Sequence, residues 1–386
     1  ISSYNTIFEF FIMCYMIYFD NAATSFYKPN VVKEAVKKSL DYLTANPGRS
    51  AHKPSQQIAD VVFETREVVK NFFDAREHEV IFTKNSTEAL NLAILGSLNK
   101  GDHVVCSCYE HNSVLRPLEH LKNLGVEYTV VECDLVDFHK GFIKYVKPNT
   151  KMIITNAVSN VTGEICNIDS VGKFCKENHI IYLVDGAQAS GHEKISLEKS
   201  NIDMYAFSGH KGLLSMTGVG GLIMKKSLKI KPILFGGTGT ESENLNQPTD
   251  LPEGYETGTI PTIPIVSLKA GIEYLMKNFE EIYKKEQILS NYLYNSLKNL
   301  KFLTIYSKPT SKNVFSFNVE NKDSSEVANM LDEYNICVRS GIHCAPLVHR
   351  HLNTLETGTV RVSLDFNNTK QDVDYLINTL EIIYRT

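Results

Sequence analysis

The sequence has no excess of positive charge. Its 386 residues include 40 Lys and Arg against 44 Asp and Glu, which gives a formal net charge of -4. Nucleic-acid-binding domains carry a basic face, so a nucleic-acid partner is not expected, and no polybasic segment suggests a membrane surface. The hydrophobic share of 43% and charged share of 22% are ordinary for a soluble enzyme. The length predicts two domains.

Closely spaced cysteine pairs are also missing. The 8 cysteines are scattered and none forms a C-x-x-C pair. Cys106 and Cys108 have no further Cys or His pair that would complete a zinc site, so no metal is predicted. Dispersed cysteines in a long chain are typical of a reducing compartment, which predicts a cytoplasmic protein.

A hydrophobic run long enough to cross a membrane is absent too. Residues 1–17 are apolar and aromatic, but a span needs about 20 residues. The segment contains Glu9 and lacks the basic start of a secretory signal. Met16 directly precedes a segment that looks like a natural start. Residues 1–15 are therefore expected to be an extension or expression artefact, and 16–30 to pack with the smaller domain.

Short apolar strands alternate with amphipathic helices through the first two thirds of the chain. Strands are predicted at 79–83, 103–106, 127–131, 151–155, 180–184, 203–207 and 219–224. Helices are predicted at 87–98, 112–123 and 168–178. This alternation predicts an α/β fold whose largely parallel sheet is covered by helices on both faces.

A Gly- and Pro-rich stretch over 235–264 interrupts this pattern. Loops of this length are usually functional or link domains. A long amphipathic helix is predicted after it, at 265–300, followed by mixed strands and helices with a strand at 315–319. We expect a large domain over 31–260 and a smaller α/β domain over 261–386.

Two residues at predicted strand ends carry the strongest chemical signal. Asp185 ends a buried strand, where ligands bind in α/β sheets, and Lys211 follows the next strand between Gly, Ser and His. Singly, Asp185 is equally well explained as a turn residue and Lys211 as a solvated lysine. Together they offer an amine for a Schiff base and a carboxylate for a pyridine nitrogen, the two contacts that pyridoxal phosphate (PLP) requires.

Four further segments offer ligand contacts, each with a structural alternative. Residues 84–88 place hydroxyls at a helix N-terminus, which suits a phosphate, but also form a capping box. His111 could stack on a flat ring or cap a helix. Cys344 lies beside His343 in a loop and could be a nucleophile or a structural cysteine. Arg361 lies in an alternating strand and needs an anion, either a substrate carboxylate or an edge-strand salt bridge.

Together these residues resemble the class V aminotransferase family of fold-type I PLP enzymes, and more narrowly its cysteine desulfurase and selenocysteine lyase branch. The resemblance runs from about Tyr18 to the C-terminus. Its most specific parts are residues 184–188, 208–211 and the loop from Arg339 to Ala345; segments 18–24 and 46–52, with Arg49, also resemble the family. The resemblance implies a seven-stranded, mostly parallel sheet in the large domain and a small α/β C-terminal domain carrying the catalytic-cysteine loop.

The resemblance also implies a role for individual residues. Lys211 would hold PLP and move the substrate α-proton, Asp185 would pair with the pyridinium, and His111 would stack on the ring. Gln188 and Asn160 would contact the phenolic oxygen. The phosphate would be held by Ser86, Thr87, Ser208, His210 and, from the other subunit of a homodimer, Thr259. The substrate would be bound by Arg361, Asn160 and Arg339, and Cys344 would be the persulfide nucleophile.

The predicted function is conversion of L-cysteine to L-alanine, with sulfur passed to an acceptor protein for iron–sulfur cluster or other sulfur-compound synthesis. The alternatives are a selenocysteine lyase, another class V aminotransferase or lyase in which Cys344 is incidental, and a non-catalytic scaffold protein. Two departures bear on substrate and acceptor. Residues 212–214 are Gly-Leu-Leu where many family members have Tyr-Gly-Pro, and residues 345–351 after Cys344 are rather basic. The short loop resembles the branch that depends on an acceptor protein.

Overall fold

The computed structural model describes residues 16–47, 50 and 52–386, and the predicted extension at 1–15 and Arg49 lie outside them. The strands are β1 (Ile17–Tyr18), β2 (His78–Thr83), β3 (His103–Ser107), β4 (Glu127–Val131), β5 (Thr150–Asn156), β6 (Ile181–Asp185), β7 (Met204–Ser208), β8 (Gly220–Lys225), β9 (Leu303–Ile305), β10 (Val314–Val319), β11 (Ile336–Cys337), β12 (Arg339–Gly341) and β13 (Thr359–Ser363). The α-helices are α1 (Asn30–Tyr42), α2 (Lys53–Phe72), α3 (Ser86–Ser97), α4 (Asn112–Lys122), α5 (Phe138–Gly141), α6 (Ile168–Glu177), α7 (Thr262–Asn299), α8 (Ser324–Glu333), α9 (Pro346–His351) and α10 (Lys370–Arg385).

The described chain divides into two compact units. The larger unit comprises residues 27–159 and 165–279, and the smaller unit comprises 16–26, 160–164 and 280–386. The division falls within the long helix α7. No helix among the described residues is long and apolar enough to span a membrane.

A seven-stranded sheet in the order β2-β8-β7-β6-β5-β3-β4 forms the centre of the larger unit. Strands β7, β6, β5, β3 and β4 pair in parallel, whereas β8 runs antiparallel to both β7 and β2. The central strands are buried on both faces, which explains their nearly continuous apolar sequence. The prediction of an α/β fold with a mostly parallel seven-stranded sheet is confirmed.

The parallel strands deliver their last residues to one edge of this sheet. Ser107, Asn156, Asp185 and Ser208 end β3, β5, β6 and β7 respectively. Asn156 and Asp185 are paired in register. Carboxyl ends of parallel strands form the ligand-binding edge of α/β sheets, so polar residues gathered here are the first place to look for a site.

The smaller unit has its own antiparallel sheet in the order β12-β13-β10-β9, together with a parallel pair of β1 and β11. Its core packs apolar residues of β10 and β13 against α8, α10 and the C-terminal part of α7. Phe315, Phe317, Val360 and Val362 are fully buried there. Alternation along β13 therefore buries Val360 and Val362 on one face and leaves Arg361 for the other.

Candidate active site

Lys211 and Asp185 interact electrostatically at the ligand-binding edge of the large sheet. Asp185 is buried and Lys211, three residues beyond the end of β7, is half-buried. Burial raises the pKa of the Asp185 carboxyl, while the Ala187 N–H and the charge of Lys211 lower it. The amine and the carboxylate are thus within electrostatic range of one another, as one bound pyridine ring between them requires.

The backbone around Asp185 fixes the direction of its carboxylate. The Ala187 N–H donates to Asp185 Oδ1 at 2.9 Å, and the Ala157 N–H donates to the Asp185 carbonyl at 2.9 Å. Position 186 requires glycine, because a Cβ there would come within 2.0 Å of the Tyr205 ring. The Asp-Gly pair is therefore a turn, as the alternative interpretation held, and it also aims a buried carboxylate.

Two serine hydroxyls meet at the N-terminus of α3. The Ser86 N–H donates to Ser208 Oγ at 3.1 Å, and the Ser208 hydroxyl donates to Ser86 Oγ at 3.0 Å. A Cβ on Gly220 would approach the backbone of Asn85 to 2.7 Å, so glycine permits this close approach of loop and sheet. Hydroxyls at a helix N-terminus suit a phosphate. Asn85 also caps the helix by accepting from the Glu88 N–H at 3.0 Å.

His111 is linked to the N-terminus of α3 through Ser113, a residue that the sequence analysis did not single out. Its Nδ1 accepts the Ser113 N–H at 3.0 Å, so a proton on the neutral ring belongs on Nε2. Ser113 Oγ lies 2.8 Å from His111 Nδ1 and 2.8 Å from Thr87 Oγ1. His111 therefore caps α4 and is also held in place beside the N-terminus of α3.

Three further residues predicted for the cofactor, His210, Gln188 and Thr259, belong to the larger unit, whereas Asn160 belongs to the smaller one. His210 is half-buried, and burial together with the charges of Lys211 and Lys28 lowers its pKa to about 4. Gln188 is half-buried, three residues beyond the end of β6. Thr259 is exposed and lines a cavity of about 180 Å³ with Lys84 and Glu88 among its other walls.

These residues fit PLP by the chemistry of their groups. A buried carboxylate, an amine coupled to it and paired hydroxyls at a helix N-terminus match the ring nitrogen, the aldehyde and the phosphate of that cofactor.

Arg361 is the centre of a second polar cluster, in the smaller unit. It is 3% exposed on β13, and its guanidinium donates to Asp20 Oδ1 at 2.8 Å and to the Asn160 carbonyl at 3.1 Å. Its Nε is buried without a partner among the described residues. An ion pair is thus present, as the alternative interpretation held, but β13 is an inner strand of its sheet rather than an edge.

Cys344 lies at the tip of a tight turn in the same unit. The Ala345 N–H donates to the Ile342 carbonyl at 2.9 Å, and His343 and Cys344 have φ values of 47° and 57°. These are the φ values of a type I′ turn, which side-chain-bearing residues adopt at a cost of about 1–3 kcal/mol each. The cost is consistent with a functional demand, since the turn leaves the Cys344 side chain exposed.

The thiol and Arg361 are electrostatically coupled. Burial lowers the pKa of Arg361, Asp20 raises it, the exposed Arg339 lowers it, and Cys344 raises it. Arg339 and Arg361 are register partners on β12 and β13. The Asn160 amide donates to the His343 carbonyl at 2.7 Å, which ties the cysteine turn to the arginine. The predicted substrate residues therefore converge in one cluster.

One histidine of the basic segment after Cys344, His349, does not contribute positive charge. His349 is fully buried, and its ring centroid lies 5.6 Å from that of His343. Burial lowers the pKa of His343 to about 2 and that of His349 to about 4, so both rings are neutral at pH 7. Sequence alone does not tell a buried neutral histidine from an exposed cationic one.

The chain belongs to the class V aminotransferase family, whose Aminotransferase class-V description matches residues 17–376. It is similar to curated relatives described as probable cysteine desulfurases. One from Pyrococcus abyssi is 36% identical over 96% of this chain and 95% of that protein. One from Methanothermobacter thermautotrophicus is 33% identical over 95% of this chain and 94% of that protein.

Solved structures give the same result for the fold. An apo cysteine desulfurase from Thermococcus onnurineus superposes with a TM-score of 0.88 at 34% identity, over 96% of this chain and 95% of that one. A cysteine desulfurase from Escherichia coli gives a TM-score of 0.84 at 26% identity, over 96% and 95%. The fold-type I architecture inferred from the resemblance is confirmed, and the family implies a PLP enzyme in general.

Proposed function

We propose that this chain is a PLP-dependent cysteine desulfurase that converts L-cysteine to L-alanine and leaves a persulfide on Cys344. The observation that carries the proposal is the placement of the Asp185 carboxyl at the end of β6 and of Lys211 three residues beyond the end of the neighbouring strand β7. The exposed Cys344, coupled to the buried Arg361, supports the sulfur chemistry. The overall reaction is balanced, because cysteine and an enzyme thiol give alanine and an enzyme persulfide.

PLP, when bound, withdraws electrons from the substrate Cα and makes its proton acidic. Lys211 would bind the cofactor and carry that proton, and Asp185 would keep the ring nitrogen protonated. His111 would cover the ring face, with Gln188 and Asn160 at the phenolic oxygen. Hydroxyls of Ser86, Thr87 and Ser208, with His210, would hold the phosphate.

The smaller unit would supply the substrate and sulfur contacts. Arg361 would bind the substrate carboxylate as a fork, with Asn160 and Arg339 beside it. The Cys344 thiolate would attack the substrate sulfur, since a thiolate and not a thiol is the nucleophile. Arg361 would orient the substrate for that attack, because a fixed carboxylate limits the positions open to the sulfur.

The larger unit would thus serve as the cofactor domain and the smaller as the domain of the cysteine loop. Thr259, exposed on an irregular segment, supports a homodimer in which it would reach the partner's phosphate. Seven cysteines among the described residues are free thiols, which supports a cytoplasmic location. An acceptor protein would take the sulfur, because an exposed cysteine tip can be reached by a partner.

Alanine formation and the persulfide test this proposal together. The purified chain with PLP and L-cysteine should release one alanine per sulfur transferred, and mass spectrometry should find the added sulfur on Cys344. Cys344→Ala should keep the visible absorbance of bound PLP and lose sulfide release. Cys337→Ala, a half-buried thiol of the same unit, is the matched control and should behave as the wild type.

Two results would contradict the proposal. Wild-type rates in Cys344→Ala would place the nucleophile elsewhere, and a keto acid in place of alanine would indicate an aminotransferase. Parallel assays with L-selenocysteine separate a selenocysteine lyase from a cysteine desulfurase. Selenium is the better leaving group, so cleavage of selenocysteine should be less affected by Cys344→Ala than cleavage of cysteine.

A further inference from the structure

Glu110 is a fully buried carboxyl group that no step of the proposed reaction uses. It follows β3 directly before His111, and its side chain is 0% exposed. Acidic side chains are almost never fully buried without a specific arrangement around them. The contacts of Glu110 therefore call for an explanation.

One carboxyl oxygen of Glu110 joins two strand ends. Its Oε1 accepts the Ser107 hydroxyl at 2.5 Å and the Asn156 N–H at 3.0 Å. Ser107 ends β3 and Asn156 ends β5, the neighbouring strand. The Asn156 amide also donates to the Tyr109 carbonyl at 2.6 Å, so this asparagine holds the same turn twice.

The same contacts reach both cofactor residues. Asn156 is the register partner of Asp185, and Glu110 and Asp185 interact electrostatically. His111 is the next residue of the chain and caps α4. A shift of the Glu110 side chain would therefore move the residues on either side of the ring site.

We propose that Glu110 is a positioning residue: its hydrogen-bonded carboxyl group ties the ends of β3 and β5 together and so places Asp185 and His111 for the cofactor. The inference rests on the proposed PLP function.

The surroundings favour the neutral acid form of Glu110. Burial raises its pKa to about 8, the hydrogen bonds from Ser107 and Asn156 oppose the rise, and the charge of Asp185 adds to it. The other titratable groups that sense Glu110 are the thiols of Cys106, Cys108 and Cys166 and the phenol of Tyr182. Each has a raised pKa and is neutral at pH 7.

The unpaired buried acceptors near Glu110 also favour a protonated carboxyl group. Glu110 Oε2 and Asn156 Oδ1 are buried and have no hydrogen-bond partner among the described residues. Both are acceptors, so a proton on Oε2 adds a donor to a cluster short of one.

Glutamine and alanine at position 110 separate positioning from charge. Glu110→Gln keeps the accepting oxygen and supplies N–H donors in place of the acid proton, so PLP affinity and the visible spectrum should match the wild type. Glu110→Ala should weaken PLP binding by about tenfold, the factor that one buried hydrogen bond contributes, and shift the spectrum. Ser107→Ala, which removes one of the two bonds, should lie between them. Glu119→Gln, on the exposed face of α4, is the matched control.

Unfolding of the cofactor-free full chain gives a second readout. Because the folded pKa is raised from 4.5 to about 8, wild type loses stability relative to Glu110→Gln as pH rises across that interval. Wild type that binds no PLP would overturn the proposed function and leave this readout intact. Glu110→Ala with wild-type affinity and spectrum, or Glu110→Gln as impaired as Glu110→Ala, would overturn the positioning role.

Discussion

Replacing Arg361 with lysine keeps the positive charge and removes the planar fork. The guanidinium is 3% exposed and holds Asp20 at 2.8 Å and the Asn160 carbonyl at 3.1 Å. One ammonium on a flexible stem cannot reproduce both bonds in the geometry of the fork. A hydrogen bond to a charged group contributes about 1.5–3 kcal/mol, so Arg361→Lys should lower the free energy of unfolding by about 2 kcal/mol.

The same substitution should weaken substrate use. If Arg361 holds the substrate carboxylate through two parallel bonds, loss of one costs about 1.5–3 kcal/mol, or roughly 10–100-fold in kcat/KM for L-cysteine. Initial rates of alanine formation measure this loss, and denaturant titration measures stability. Arg350→Lys, an exposed arginine on α9, is the control and should change neither quantity.

The two readouts separate substrate binding from structure. Lower stability with kcat/KM within about threefold of wild type would make Arg361 a structural ion-pair residue only. Unchanged stability and unchanged kcat/KM would refute the reasoning about the fork altogether.

The remaining predictions concern the cofactor lysine, the buried histidines and a buried ion pair. Lys211→Ala should abolish the visible absorbance of bound PLP, which a spectrum of the purified variant checks directly; a wild-type band would contradict the assignment. His343 and His349 have pKa values lowered from 6.5 to about 2 and about 4, so their stability contribution is complete above pH 6.5 and is lost as pH falls. Each histidine should lower the free energy of unfolding by about 1.4 kcal/mol per pH unit as pH falls from 6.5 to 4. Denaturant titrations measure this slope, and His349→Gln should reduce it. Glu256→Ala leaves Arg66 buried without its partner at 2.6 Å and should cost about 3–5 kcal/mol of stability; a loss below 1 kcal/mol would show that water reaches the pair.

Most strands and helices of the larger unit could be predicted because their sequences carry one pattern only. Buried strands such as β6 are short apolar runs between polar turns, and α3 follows a capping residue. The direction of β8 could not be predicted, since an apolar run buried on both faces is the same in parallel and antiparallel pairing.

The polar partners across long sequence distances could not be predicted either. Asp20 and Arg361 are 341 residues apart, and nothing local in either segment identifies the other. Ser113 and Glu110 lie beside His111 in the sequence. Their hydrogen-bond partners could not be predicted, because those contacts depend on how the chain buries the two side chains. The positive φ values of His343 and Cys344 could not be predicted either, because the turn lacks the Asn-Gly, Asp-Gly or Gly-Gly pair that marks a type I′ turn in a sequence.

Borohydride reduction followed by peptide mapping tests whether Lys211 carries the cofactor. Reduction of the PLP-loaded protein fixes the cofactor permanently to the amine that carries it, and mass spectrometry then locates it. We expect the added mass on Lys211, with occupancy lowered in Asp185→Ala. The cofactor on another lysine, such as the nearby Lys28, or on none, would contradict it.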